Sequence, residues 1–130
     1  MPAPTPSGAD LRGLIEYLVG DDTDEYLPML TEELALDGDK RAPGWTKDEL
    51  APAVEFRVAI IGAGMSGIAA AHRLDQAGVP FTIFEKNPDA GGTWYENVYP
   101  GCRVDVPNHV YSYSFAQTGD WPQYFSTQDV

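Results

Sequence analysis

Apolar residues near the start of the chain recur at the spacing of one helical face. The i, i+3, i+4, i+7, i+8 pattern is formed by Leu11, Leu14, Ile15, Leu18 and Val19. It predicts an amphipathic helix with Ser7 or Asp10 as its N-cap, and Gly20 suits its end.

A second amphipathic helix is predicted after Asp24. Its apolar positions are Leu27, Leu30, Leu34 and Ala35. Pro28 fits this helix only in its first turn, because proline has no N–H and its ring clashes with a preceding turn. Gly38 is expected to close the helix. Neither helix can bury its apolar face alone, so we expect them to pack on each other, on the rest of the protein or on a second subunit.

The apolar pattern changes from helix to strand period at residue 56. Phe56–Ile61 is a short β-branched run, typical of a buried parallel strand. It leads into the glycine turn Gly62–Gly67, and Ile68–Ala77 then has the composition of a helix. Phe81–Phe84 is predicted as a second strand, and Glu85 follows it directly. The order strand, glycine turn, helix, strand and acid within about 30 residues is the fingerprint of a dinucleotide-binding unit.

Each residue of this fingerprint has a physical task. Gly62 permits the tight turn out of the strand, Gly64 lets the backbone approach a diphosphate, and Gly67 lets the helix pack close to the strand. The helix N-terminus offers N–H groups and the positive end of its dipole. Glu85 is expected to accept hydrogen bonds from ribose hydroxyls and to repel a 2′-phosphate. The unit therefore favours FAD or NAD over NADP.

Further patterns follow the second strand. Gly91 and Gly92 form a second glycine pair that lets the backbone pass close to a flat or charged ligand. An alternating aromatic series, which predicts one face of a strand, is formed by Tyr111, Tyr113 and Phe115. Trp121 and Phe125 have the i, i+4 spacing of a shared helical face.

The combined motifs closely resemble the flavin-dependent Baeyer–Villiger monooxygenases, particularly the hydroxyacetophenone monooxygenase type. The resemblance rests on Gly62-x-Gly64-x-Ser66-Gly67, Glu85, Gly91-Gly92-Thr93-Trp94-Tyr95, Tyr99-Pro100-Gly101-x-Arg103-x-Asp105 and Tyr111-Ser112-Tyr113-Ser114-Phe115. It implies an α/β fold: the N-terminal part of a Rossmann-type FAD-binding domain, a βαβ unit preceded by a short helical extension. It also implies FAD and NADPH as cofactors, with a ketone and dioxygen converted to an ester or lactone through a flavin peroxide.

The resemblance also implies a set of site residues. The residues expected to bind the cofactor are Gly62, Gly64, Ser66, Gly67, Glu85, Lys86, Gly92, Thr93, Trp94, Asp105 and Tyr111. Asp105 is in addition the expected catalytic residue, because it would orient an arginine that stabilises the peroxide anion. In the family that arginine comes from a later part of the chain. Arg103 is therefore expected to be structural or a neighbour of the cofactor.

Charge and composition limit the classes of partner and site that the chain is expected to have. The 130 residues carry 20 acidic and 8 basic side chains, a net charge of −12. This balance argues against nucleic acid and against an anionic membrane surface. Cys102 is the single cysteine, so a disulfide framework and a cysteine-rich metal site are excluded, and no metal site is expected. With no apparent signal peptide or membrane span, a cytoplasmic location is expected.

Acidity is concentrated in the first part of the chain. Residues 1–50 are expected to form an acidic helical extension with a polar linker, in which Thr46 and Glu49 have the spacing of a capping box. Residues 51–130 are expected to form the N-terminal part of the FAD-binding domain. The helices of the extension are candidates for a homodimer interface.

The chain lacks a second glycine fingerprint for NADP and the remaining strands of an FAD domain. We therefore expect an N-terminal fragment of a longer enzyme, inactive by itself. Two alternatives stay open: a flavin-dependent N- or S-oxygenase, and a non-catalytic nucleotide-binding or oligomerisation module.

Overall fold

The structure is a computed structural model that describes residues 8–20, 23–33, 35 and 38–129. Its helices and strands are α1 (Gly8–Val19), α2 (Thr23–Glu33), α3 (Lys47–Leu50), β1 (Val58–Ile61), α4 (Met65–Gln76), β2 (Phe81–Phe84) and α5 (Thr93–Glu96), followed by a 3₁₀ turn at Ser114–Ala116. The chain forms two compact units. One comprises Met1–Arg41 with Ser112–Gln117, and the other comprises Ala42–Tyr111 with Thr118–Val130. None of the helices in the described residues is long and apolar enough to cross a bilayer.

In the N-terminal unit, α1 packs against α2. Leu11 and Ile15 are buried, whereas Leu14 is 54% exposed and does not join the buried face. Asp10 lies inside the first turn of α1, so its predicted role as the N-cap is wrong. Gly20 follows the helix with φ of +67°, as its predicted role at the helix end requires. The predictions for Ser7, Leu34 and the side chain of Leu18 lie outside the described residues.

The limits of α2 differ from the predicted ones. The helix begins at Thr23, whose hydroxyl donates to the carbonyl of Gly20 at 2.6 Å. Pro28 is therefore its sixth residue, beyond the first turn, which contradicts the prediction. Because proline has no N–H, α2 loses one backbone hydrogen bond there. Gly38 does not close the helix either: α2 ends at Glu33, and Ala35 adopts a left-handed φ of +48°.

The second unit contains the predicted βαβ arrangement. β1 and β2 pair in parallel, from Val58 opposite Phe81 to Ile61 opposite Phe84. α4 packs on both strands, so the α/β class predicted from the sequence is confirmed. β2 has the predicted limits, but β1 is two residues shorter than predicted, and α4 begins at Met65 rather than Ile68. The apolar core of this unit is small and consists of Ile60, Ala63, Ala71, Ala77, Val79 and Cys102.

The capping box predicted in the linker is confirmed. Thr46 caps α3: its hydroxyl accepts from the Glu49 N–H at 3.3 Å, and the Glu49 carboxylate accepts from the Thr46 N–H at 2.7 Å. The Lys47 N–H also donates to the carbonyl of Ala77 at 2.7 Å. This short helix is therefore attached to the end of α4.

The last part of the chain departs from the sequence prediction. The predicted strand through Tyr113 and Phe115 is instead a 3₁₀ turn in which these two rings stack, 4.8 Å apart. No helix spans Trp121 and Phe125, which lie in a described stretch of bends. Asn108 is bonded to the stretch at residues 123–126: its N–H donates to the Tyr124 carbonyl at 3.1 Å, and its side chain bonds Gln123 and Ser126. Hydrogen bonds to Asn108 thus satisfy polar groups in the stretch where the spacing of Trp121 and Phe125 predicted a helical face.

Candidate functional site

The site begins at the turn between β1 and α4. Gly62 has φ of +96°, a conformation that favours glycine. Its N–H donates to the Phe84 carbonyl at 2.7 Å, which fixes the turn to the end of β2. A Cβ on Gly67 would lie 2.0 Å from the carbonyl oxygen of Gly62. The absence of a side chain at Gly67 therefore allows the close packing of α4 on β1 that the sequence predicts.

The second glycine pair lies directly against this turn. The Gly91 N–H donates to the Ala63 carbonyl at 3.0 Å. A Cβ on Gly92, which has φ of +54°, would lie 2.8 Å from the Cα of Gly64. α5 starts immediately afterwards, with the Tyr95 N–H donating to the Gly92 carbonyl at 3.1 Å. Two glycine loops therefore meet backbone to backbone.

Glu85 is attached to the glycine turn through its carboxylate. One oxygen accepts from the Ala63 N–H at 2.6 Å and the other accepts from the Asn87 N–H at 2.9 Å. The backbone hydrogen bond from Ala63, followed by the one from Asn87, lowers the pKa of Glu85 below its usual range. The side chain thus stays ionised at neutral pH. Sequence reasoning predicted a ribose contact here and missed this bond to the turn.

The two loops border a cleft of about 370 Å³, within the range of small-molecule sites. Eight of the eleven predicted site residues line it: Gly62, Gly64, Ser66, Gly67, Gly92, Thr93, Trp94 and Tyr111. Ile61, Met65 and Gly91 complete its lining. Gly64 is the N-cap of α4 and contributes no side-chain hydrogen bond, so no side chain covers the helix start from that position.

An aromatic pair forms one wall of the cleft. The indole N–H of Trp94 donates to the Tyr111 hydroxyl at 3.3 Å, and the rings meet edge to face with centroids 6.0 Å apart. The same two residues also line a neighbouring cleft of about 180 Å³, together with Asn108 and Trp121. The pair therefore separates two adjoining spaces.

Three predicted residues do not line the main cleft. Glu85 is adjacent to it through Ala63, as described above. Lys86 is exposed and forms an ion pair with Glu96 at 2.6 Å. Asp105 is exposed in a bend after Val104. Arg103, expected to be structural or a neighbour of the cofactor, forms an isolated antiparallel bridge with Thr127.

A parallel βαβ unit whose glycine turn faces a cleft defines a dinucleotide-binding Rossmann-type protein. The model of the NAD(P)-binding Rossmann-like domain family matches residues 60–127, just over half of the chain, and the chain belongs to this family.

Relatives with known names refine the comparison. The chain is 45% identical over 104 residues to an uncharacterized monooxygenase of Sinorhizobium fredii. The matched region covers 80% of this chain and 15% of that protein. It is 50% identical over 74 residues to a Baeyer-Villiger monooxygenase of Streptomyces coelicolor, covering 56% of this chain and 14% of the relative. The predicted resemblance to Baeyer–Villiger monooxygenases is confirmed.

A solved structure of a monooxygenase is also similar to this chain. The structure of an oxidized steroid monooxygenase bound to NADP superposes with a TM-score of 0.53 and 39% identity, over 57% of this chain and 15% of that chain. The chain thus spans about one seventh of the length of these proteins.

Proposed function

We propose that this chain is the amino-terminal FAD-binding segment of a flavoprotein monooxygenase, which uses NADPH and dioxygen to convert ketones to esters or lactones. The observation that carries the proposal is the meeting of two glycine loops at one cleft. The names of the relatives support it: a Baeyer-Villiger monooxygenase of Pseudomonas aeruginosa is 49% identical over 84 residues. An FAD-binding monooxygenase of Dothistroma septosporum is 49% identical over 74 residues.

The residues present fit an FAD molecule. Gly64 has φ of −80° and its Cβ position faces only ordinary contact, 3.5 Å from Gly92, so the backbone is open to a close ligand at the start of α4. Gly62, Gly64 and Gly67 would hold the diphosphate at this helix N-terminus. Gly92, Thr93 and Trp94 would lie along the flavin side. When bound, FAD supplies the electron transfer and oxygen activation that ketone oxygenation requires.

Glu85 supports FAD rather than a 2′-phosphorylated nucleotide at this cleft. Its lowered pKa keeps a negative charge beside the turn, and a 2′-phosphate would be repelled there. Each of its oxygens has a second lone pair, so ribose hydroxyls have acceptors in addition to the two backbone amides. NADPH would then be bound by residues other than those of this cleft.

Asp105 is proposed to position an arginine from elsewhere in the complete enzyme. A carboxylate does not stabilise an anion itself, but it orients a guanidinium that does. Asp105 is exposed, so such a partner has access to this residue.

Self-association through the N-terminal helices remains part of the proposal. Leu14, Tyr17 and Met29 are 54%, 88% and 50% exposed, which leaves apolar surface on α1 and α2. The cytoplasmic location also stays a prediction.

The test uses the complete protein purified with its bound cofactor. Gly64→Asp places a carboxylate where the diphosphate would lie, at a position whose backbone accepts a side chain, and we expect loss of flavin absorbance. Gly119→Asp is the matched control, because its Cβ meets no atom within 4 Å and it does not line the cleft. Normal flavin content in Gly64→Asp would refute the assignment of the cofactor site.

Activity is tested by supplying the wild-type protein with NADPH and either an aromatic ketone or a thioether. Formation of an ester supports the proposal. Oxidation of the thioether without any ester would favour an S-oxygenase, and absence of turnover with bound FAD would favour a non-catalytic role.

A further inference from the structure

The contact between the two glycine loops involves backbone atoms on both sides. Gly92 approaches Gly64 so closely that an added Cβ would lie 2.8 Å from the Gly64 Cα, well inside the 3.4 Å at which ordinary contact begins. The neighbouring Gly91 N–H bonds the Ala63 carbonyl at 3.0 Å. The second loop therefore touches the phosphate-binding turn itself, in addition to bordering the cleft.

Ala63 is fixed from two directions. Its N–H donates to the Glu85 carboxylate at 2.6 Å, and its carbonyl accepts from Gly91. Only 6% of Ala63 is exposed. Both polar groups of this residue thus bond partners within the chain. The shape of the turn is thus held by hydrogen bonds within the chain.

The second loop is itself held in place. The Trp94 N–H donates to the Gly91 carbonyl at 3.1 Å, which begins α5 on the glycine pair. A Cβ on Gly91 would lie 3.0 Å from the Tyr95 Cβ, so the loop packs against its own helix. A side chain at position 92 would meet the Gly64 backbone at 2.8 Å, so either this loop or Gly64 must shift.

We propose that Gly92 is a positioning residue for the phosphate-binding turn, acting through the backbone of Gly64 as well as through any contact with the flavin side. This inference rests on the proposed FAD site and adds a route by which the second loop sets affinity for the adenosine diphosphate half of the cofactor. Because the turn must be preformed for its N–H groups to converge on a diphosphate, displacing Gly64 weakens binding of that half.

The experiment compares binding of FAD and of ADP, which lacks the flavin, to apo-protein prepared from the complete protein. We expect Gly92→Ala to lower the affinity for both FAD and ADP by about tenfold or more, because the binding turn would no longer be preorganised. Gly78→Ala is the matched control: Gly78 also has a positive φ, +64°, but its Cβ would meet nothing within 4 Å. The control should bind both ligands normally.

A Gly92→Ala protein that loses FAD affinity but keeps normal ADP affinity would overturn the inference, because Gly92 would then act only at the flavin side. Unchanged affinity for both ligands would overturn it as well. Wild-type protein that binds neither ligand would contradict the proposed function itself.

A second measurement is independent of whether the variant folds. Hydrogen exchange of the wild-type apo-protein should show protected amides at Ala63 and Gly91, because both amides donate to acceptors within the chain. Exchange of these two amides at the rate of an unstructured peptide would show that the turn is not preformed, and the inference would fail.

Discussion

Replacing Gly67 by alanine is expected to destabilise the βαβ unit, although alanine is the better helix former. In a helix interior, alanine is favoured over glycine by about 1 kcal/mol. At position 67 the new Cβ would lie 2.0 Å from the Gly62 carbonyl oxygen and 3.0 Å from its carbonyl carbon. These are backbone atoms, which cannot rotate away as the tip of a side chain does.

Relief of this clash requires α4 to move away from β1. The end of β1 does not yield easily, because the Gly62 N–H is bonded to the Phe84 carbonyl at 2.7 Å. Overpacking that forces a backbone shift costs about 1–3 kcal/mol and occasionally more. A 2.0 Å approach to a backbone oxygen argues for the upper end of that range, so after subtracting the gain in helix propensity we expect a net loss of up to about 2 kcal/mol.

Gly13→Ala is the matched control. Gly13 lies inside α1, and an added Cβ there meets nothing within 4 Å. Its substitution should leave stability unchanged or raise it by up to about 1 kcal/mol. Both variants are compared in the complete protein by thermal melting and by hydrogen exchange of the β1 amides. If Gly67→Ala proves as stable as Gly13→Ala, the close packing of α4 on β1 is not a constraint and the reasoning is wrong.

Three other expectations address the site and the extension. Asp105→Ala should retain FAD but form ester about 100-fold more slowly, as loss of an electrostatic positioning group does; an unchanged rate contradicts its role. Deleting residues 1–50 should lower the melting temperature or change the sedimentation of the complete protein, and no change in either would count against a packing or dimer role. Because the pKa of Glu85 is lowered on folding, its stabilising contribution is complete above the ordinary glutamate pKa of about 4.3 and is lost as pH falls from there through the lowered pKa. Protection of the Ala63 amide should therefore decline below about pH 4.3, and Glu85→Gln should abolish that dependence; a wild-type profile that is flat through acid pH would contradict the contact.

Local patterns predicted the centre of the site well. β2 and Glu85 lie where the sequence places them, because a strand, a tight turn and a helix start are each fixed by neighbouring residues. The start of α4 was predicted three residues too late. The last residues of the glycine turn are themselves helical, and Gly64 serves as the N-cap. Glycine composition alone does not distinguish a loop from the first turn of a helix.

Non-local contacts were the part that the sequence did not predict. The aromatic alternation at Tyr113 and Phe115 indicated a strand, but a strand needs a partner, and the described residues place a 3₁₀ turn there. Asn108 gave no signal at all, since an isolated asparagine in a loop is unremarkable until its partners at residues 123–126 are known. The approach of Gly92 to Gly64 likewise joins positions far apart in the chain.

The glycines of the site consequently differ in the reason why glycine is needed at each position. Gly62 is required by its positive φ, Gly67 by the carbonyl beneath it, and Gly92 by the Gly64 backbone, and none of these needs a ligand. Gly64 alone among them combines a φ that other residues adopt with room for a Cβ, so the fold does not demand glycine there. Loss of cofactor after substitution of Gly62, Gly67 or Gly92 would therefore reflect distortion of the backbone as much as loss of a contact with the cofactor. Substitution at Gly64 reports the ligand, which is why the cofactor site is best tested at that residue.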